Sequence, residues 1–353
     1  MMKFFFLCLA VLAGFSSFAN ADSTAYAASH SFIQYTGRVD KSNAVGPVMW
    51  APGTYINIAF EGTYCIMKIN DEVKYGKSHN YIIVQVDNEK PYRIQLKEKE
   101  NTIVLASNLK PGKHSVTICK STEAEIGWLQ PTAFITKKLV RTTKKPKRKI
   151  EFIGDSITCG MGNDESSQAC GTAEWYDQNN AWIAYGPRTA RALNAQWHLS
   201  AISGIGLIHS CCGKTTVMPP LYKKLSLSAD SINWNFKMYQ PELVTICLGQ
   251  NDGIQDSTTF CNAYINFMKE LRSYYPKATL VMLTSPMANA ALNNTLQQYI
   301  LSIEKALKQK DKKIGHYFFT QQYTKGCSWH PSAKDHEQMA EELTAYLKQK
   351  MRW

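Results

Sequence analysis

Lys149-Ile150-Glu151-Phe152-Ile153-Gly154-Asp155-Ser156-Ile157-Thr158 is the stretch on which the reading of this chain turns. A short apolar strand runs into Gly154-Asp155-Ser156, and Gly160-Met161-Gly162 follows as a glycine-rich loop. That pattern lifts one serine hydroxyl off the C-terminal edge of a parallel sheet, where ligands and reacting groups collect in open α/β folds. A serine attacks only when a base removes its proton and donors stabilise the oxyanion that forms. Both must come from elsewhere in the chain.

Downstream, strands alternate with helices. Strands are expected at Ile150–Ile153, Trp197–Ile202, Leu243–Leu248, Thr279–Thr284 and Tyr317–Phe319. Helices are expected at Pro187–Leu193, whose first turn tolerates the proline, and at Thr258–Tyr274, Leu292–Leu307 and Lys334–Gln349. The pattern predicts a parallel, three-layer α/β/α sheet with right-handed crossovers. Upstream the period changes. Thr54–Phe60, Asn80–Val86, Thr102–Leu105, His114–Ile118 and Thr132–Ile135 are short β-branched runs separated by turn signals such as Asp87-Asn88 and Pro111-Gly112. Such spacing argues for an antiparallel β-sandwich. The predicted organisation is a β-sandwich over 28–140, a linker over 141–148 and an α/β domain over 149–353.

The formal net charge is +12, and eight positive residues fall between Lys137 and Lys149. That run contains Pro146 and no aromatic side chain, so it reads as a solvated linker and not as a nucleic-acid surface. The N-terminus, with Lys3, an apolar run to Phe18 and then Ala19-Asn20-Ala21, reads as a secretory signal over 1–21, cleaved after Ala21. The run is too short for a comfortable membrane span. A periplasmic or secreted location is expected, with no membrane insertion. Of ten cysteines, Cys8 leaves with the signal, and the odd remainder requires an unpaired thiol. Cys65 with Cys119, and Cys159 with Cys170, are candidate bridges, with the pairing left open, and Cys247 is the expected free thiol. Cys211-Cys212 lacks neighbours at zinc-ligand spacing.

Four places lie just beyond strands or before the last helix: Ser156, Ser203-Gly204-Ile205-Gly206, Gly249-Gln250-Asn251-Asp252 and Trp329-His330-Pro331. Each alone is a common turn. Together, in chain order, they supply a nucleophile, a backbone amide, a side-chain amide and an imidazole, the set needed for acyl transfer by a serine. Asp155 and Asp252 read as acceptors for loop backbone, not as metal ligands. Trp175, Tyr176 and Trp329 are candidate walls of a sugar-binding cleft; for Trp182 core packing is favoured.

These four blocks resemble the GDSL-type, or SGNH, hydrolases, through Gly154-Asp155-Ser156, Ser203-Gly204, Gly249-Gln250-Asn251-Asp252 and His330. More narrowly, the chain is similar to carbohydrate esterase family two, through Phe60-Glu61-Gly62-Thr63, Arg148 to Gly160, Ala184-Tyr185-Gly186, Ser203-Gly204-Ile205-Gly206-Leu207 and Trp329-His330-Pro331-Ser332. The resemblance implies a jelly-roll domain before a flavodoxin-like hydrolase domain. It implies Ser156 as nucleophile, His330 as base, and an oxyanion hole of the Ser156 and Gly204 N–H groups with the Asn251 amide. One departure stands out. Many SGNH enzymes carry an aspartate three residues before the histidine, and here that position is Cys327. A Ser–His dyad with a backbone carbonyl behind the imidazole is therefore expected; Asp335 is not expected as a third member.

The expected function is removal of O-acetyl groups from a polysaccharide or oligosaccharide through an acetyl-serine, without cofactor or metal, by a monomer. The alternatives are a lipase- or thioesterase-like acyl hydrolase and a glycan-binding protein with little turnover.

Overall fold

The computed structural model describes residues 23–228 and 231–353. The expected signal segment lies outside the described residues.

The C-terminal half is built on five parallel strands: β1 Arg148–Gly154, β2 Ala195–Ala201, β3 Leu243–Cys247, β4 Thr279–Leu283 and β5 Ile314–Tyr317. Their spatial order is β2-β1-β3-β4-β5, the flavodoxin-like order, whose switch point lies between β1 and β3. Alternation along the strands makes the three layers. Val244, Ile246, Leu280 and Met282 pack into one core with Phe260, Tyr264, Phe267, Leu296 and Ile300. Leu243, Cys247, Val281 and Leu283 face the other way, onto Tyr185, Met339, Leu343 and Leu347. The helices are α1 Ser156–Cys159, α2 Tyr185–Ala192, α3 Met218–Tyr222, α4 Ser257–Tyr274, α5 Ala290–Lys308 and α6 Ala333–Met351. Side chains close their N-termini: Asp256 on α4, Asn289 on α5, and Ser332 with Asp335 in a capping box on α6.

The fifth strand differs from expectation. It begins at Ile314, which pairs with Leu280, and ends at Tyr317. Phe319 lies past the ladder, its N–H bound to Thr284 Oγ1. The apolar Phe318-Phe319 pair fills core beside the sheet edge, which periodicity alone does not separate from a strand.

The N-terminal half is antiparallel throughout. Its spine is Tyr55–Asp71, a 17-residue strand. Tyr55 to Gly62 pair with 112–119, whereas Cys65 to Asn70 pair with 100–106 and 130–136, with bulges along the way. One strand thus serves two pairings, and the sheet closes over Ile56, Ile58, Phe60, Met67, Ile82, Val84, Leu105, Ile118 and Phe134. Glu61-Gly62 interrupts the apolar alternation, so the sequence marks only the first half of this strand. Thr24–Ala27 already pairs with Ala133 to Thr136, four residues ahead of the expected boundary at 28.

The basic run is only partly solvated. Lys145 is half-buried, bonds Tyr35 O at 2.5 Å, and is pushed down to about 8 by burial and by Lys41 and Lys149. Arg141 covers the Phe32 ring and Arg148 the Trp353 ring.

The halves meet across a buried, polar surface. Tyr55 stacks on Trp197, with centroids 4.1 Å apart, and Trp197 Nε1 donates to Gly53 O at 2.8 Å. Arg38 reaches from the β-domain to Tyr222 O and lies 3.6 Å from Glu151 with both side chains buried. Arg93 donates to Asp177 O and Asn179 O.

The cysteine expectations need correction. Cys65 and Cys119 are both free and buried. Cys119 faces Tyr55 across the ladder, ten positions from Cys65 along the same strand, a separation of roughly 30 Å at the rise of a β-strand, far beyond disulfide reach. Cys159 is also free, while Cys170 bonds Cys327. Cys211 and Cys212 form a vicinal pair. Cys247 is free and buried, as expected.

Candidate active site

Gly154 ends β1 because nothing larger fits. A Cβ there would stand 2.1 Å from Thr158 Oγ1 and 3.1 Å from Cys247 O. Asp155 then caps the single turn of α1, accepting from Ile157 N at 3.0 Å, and Ser156 opens the turn. Burial, with Asp252 and Glu123 nearby, pushes Asp155 up to about 7. Asp252 accepts from the N–H groups of Leu207, Ile208 and His209, shaping the loop after β2. Both aspartates therefore organise backbone.

Ser156 and His330, 174 residues apart in sequence, meet: Oγ and Nε2 are 2.8 Å apart. The other ring nitrogen, Nδ1, lies 2.9 Å from Ser328 O. A carbonyl only accepts, so Nδ1 carries the proton and Nε2 is free to take one from Ser156. Burial holds His330 below its ordinary pKa, which keeps the ring neutral near pH 7.

The turn that aims the carbonyl is unusual. Ser328 and Trp329 both have left-handed backbone, φ 53° and 61°, a conformation that non-glycine residues adopt at a cost. It is held by Cys327 N to Gly162 O at 2.9 Å, Gly326 N to His330 O at 2.7 Å, and the Cys170–Cys327 disulfide. The cysteine in the acid's usual position thus anchors the turn. Asp335 is committed elsewhere, accepting from Lys325 N and Ser332 N.

Gly204 follows β2 with φ +75°. Among the described residues, none accepts a hydrogen bond from the N–H of Ser156 or Gly204. Asn251, after β3, gives one Nδ2 proton to Ile205 O at 2.8 Å and turns the other toward Asp155 Oδ2 at 3.3 Å. The amide thus lies against the aspartate that precedes Ser156.

The aromatic candidates separate. Trp329 is 78% exposed and Trp175 42%. Tyr176 is only 4% exposed, packed with Tyr81 and Ile126, so it is not a cleft wall. Trp182 is buried against Trp197. Sequence reasoning missed Glu123. This β-domain carboxylate, 1% exposed, accepts from Ser203 N at 2.7 Å and Ser203 Oγ at 2.5 Å. No motif marks it; the nearest sign is a pair of acids, Glu123 and Glu125, in the short connection between two strands.

Residues 35–146 match the Carbohydrate esterase 2 N-terminal family, and 150–343 match the GDSL-like Lipase/Acylhydrolase family. The chain is 32% identical over 330 residues to the cellulase/esterase CelE of Acetivibrio thermocellus, covering 91% of this chain and 40% of that protein's length. It is 29% identical over 335 residues to an acetylxylan esterase / glucomannan deacetylase of Cellvibrio japonicus, covering 93% of this chain and 91% of that one. A solved family two carbohydrate esterase from Clostridium thermocellum, in complex with cellohexaose, superposes with a TM-score of 0.83 at 32% identity, over 91% of this chain and 99% of that one. Sequence blocks, fold and relatives agree: the chain belongs to carbohydrate esterase family two, carboxylic ester hydrolases of the GDSL type.

Proposed function

We propose that this chain is an exported O-deacetylase of polysaccharides or oligosaccharides, working through a Ser156–His330 dyad. The observation that carries the reading is the 2.8 Å contact between Ser156 Oγ and His330 Nε2, with Nδ1 on Ser328 O. Ser156 Oγ attacks the acetyl carbonyl as its proton passes to His330 Nε2. The tetrahedral oxyanion is met by the N–H groups of Ser156 and Gly204 and by Asn251 Nδ2, whose longer bond, to Asp155, is the one given up. His330 returns the proton to the departing sugar hydroxyl, leaving acetyl-Ser156. Water, deprotonated by the same ring, then releases acetate. The Ser328 carbonyl does the orienting that a triad assigns to an aspartate.

Support for a sugar ester comes from Trp329, exposed beside His330 and suited to stacking on a sugar ring, and from the similarity to an acetylxylan esterase / glucomannan deacetylase. The Cys170–Cys327 bridge is consistent with export to an oxidising compartment. Acetate release from a panel of acetylated glycans and monosaccharide acetates tests the reading, with an acyl-length series on aryl esters. Acetyl preference and loss of turnover in Ser156→Ala support it. Preference for long acyl chains would favour a lipase-like enzyme, and glycan binding without acetate release a binding protein.

A further inference from the structure

We propose that Glu123, a residue of the β-domain, is a positioning residue of the oxyanion hole, acting through Ser203 on the Gly204 N–H. The inference rests on the serine esterase reading above and extends its machinery into the other domain.

The carboxylate holds Ser203 twice, Oε2 on its N–H and Oε1 on its hydroxyl. Fixing both the backbone nitrogen and the side chain of one residue leaves it little rotational freedom. The next peptide is the one whose N–H belongs to Gly204. A turn of Ser203 about its own backbone would swing that N–H away from the carbonyl under attack. The same carboxylate reaches a second element of the hole: Cys159 Sγ, in the turn opened by Ser156, lies 3.6 Å from Oε2. One buried group thus links the loops that carry both backbone donors.

Glu123 is itself held. Lys120, fully buried, donates to Thr122 O at 2.8 Å and Glu123 O at 3.0 Å. Ile126 N also bonds Glu123 O. Lys214, paired with Glu125, lies against Gly204, where a Cβ would meet its Cε at 3.1 Å. The chain between strands Gly112–Lys120 and Leu129–Val140 therefore grips the loop after β2 from below. The β-domain is in this account a structural part of the active site, not an appended module.

The claim concerns reach, not charge. A glutamine keeps the length of the side chain: Oε1 can accept from Ser203 N while Nε2 donates to Ser203 Oγ. An aspartate keeps the charge but is one methylene short and cannot hold both contacts. The full-length enzyme is assayed with an aryl acetate as wild type, Glu123→Gln, Glu123→Asp and Glu123→Ala, beside thermal melts and Ser156→Ala. Glu123→Ala is expected to lower kcat ~10–10²-fold with KM within ~3-fold, less than deletion of a donor outright. Glu123→Gln is expected to restore kcat to within ~3-fold of wild type, and Glu123→Asp to fall well below it. Should Glu123→Ala fail to fold, the order of Gln and Asp decides alone. Asp matching or exceeding Gln, equal loss in both, or an unchanged kcat in a folded Glu123→Ala would overturn the proposal. Turnover persisting in Ser156→Ala would instead overturn the esterase reading, whatever the Glu123 series shows.

Discussion

Removing the Cys170–Cys327 disulfide, as the double variant Cys170→Ser with Cys327→Ser, separates what this bond does for the fold from what it does for His330. Its partners are 157 residues apart. The chain-entropy model assigns a loop of that length up to about 5 kcal/mol, and engineered or native bridges commonly deliver less. At ~2 °C per kcal/mol for a protein of this size, melting should fall by at most about 10 °C. The effect on catalysis follows from the turn. Ser328 and Trp329 sit in left-handed backbone, which costs of order 1–3 kcal/mol per residue. Without the bond the turn keeps Cys327 N on Gly162 O, Gly326 N on His330 O and Lys325 N on Asp335. Relaxation of about 1.4 kcal/mol out of the aligned state is tenfold in rate, so kcat should fall roughly tenfold, with KM little changed. The assay is aryl acetate turnover beside a melt. Serine variants are preferred to reductant, which would also open Cys211–Cys212. An unchanged kcat and melt would show that the hydrogen bonds suffice. Total loss of activity in a folded variant would show that the cysteines do more than hold the turn. Either result contradicts the reasoning.

Asn251→Ala should lower kcat by ~10²–10³, the usual cost of one oxyanion donor; steady-state kinetics on an acetyl ester checks it. The kcat/KM profile should rise with pH as His330 loses its proton, with the inflection below the ordinary histidine value because burial disfavours the charged ring. Asp155, pushed up to about 7, titrates nearby, so the profile is repeated in Asp155→Asn, where the limb that remains belongs to His330. His198 is buried, finds no hydrogen-bond partner among the described residues for either ring nitrogen, and is pushed down to about 4. Its unfolded form therefore binds more protons between about 4 and 6.5, and stability is lost as pH falls through that window. At 1.36 kcal/mol per unit, wild type should lose on the order of 3 kcal/mol relative to His198→Phe between pH 7 and pH 4; chemical denaturation at both values measures it.

The meeting of Ser156 with His330 was legible in the sequence because each follows a strand or precedes the last helix, and the parallel sheet gathers those ends at one edge. The three layers were legible because the five strands and their helices announce different periods. Other features depend on register and packing, which no local pattern encodes. Cys65 and Cys119 looked paired until the ladder set Cys119 opposite Tyr55. Tyr176, expected as a cleft wall, is buried with Tyr81. Lys145, expected in solvent, sits against Tyr35. Glu123 was invisible because its partner, Ser203, lies 80 residues away in the other domain. The absence of an acid at Cys327 was visible; that Ser328 would turn its carbonyl to the ring needed the left-handed turn itself.

The most direct test is to trap the intermediate. The enzyme is mixed with an acetyl ester, quenched in acid within the first turnover and digested, and the peptide bearing Ser156 is examined by mass spectrometry. The account predicts one added acetyl group, located on Ser156 and missing in Ser156→Ala. An acetyl group on another residue, or acetate released at the wild-type rate by Ser156→Ala, would contradict it.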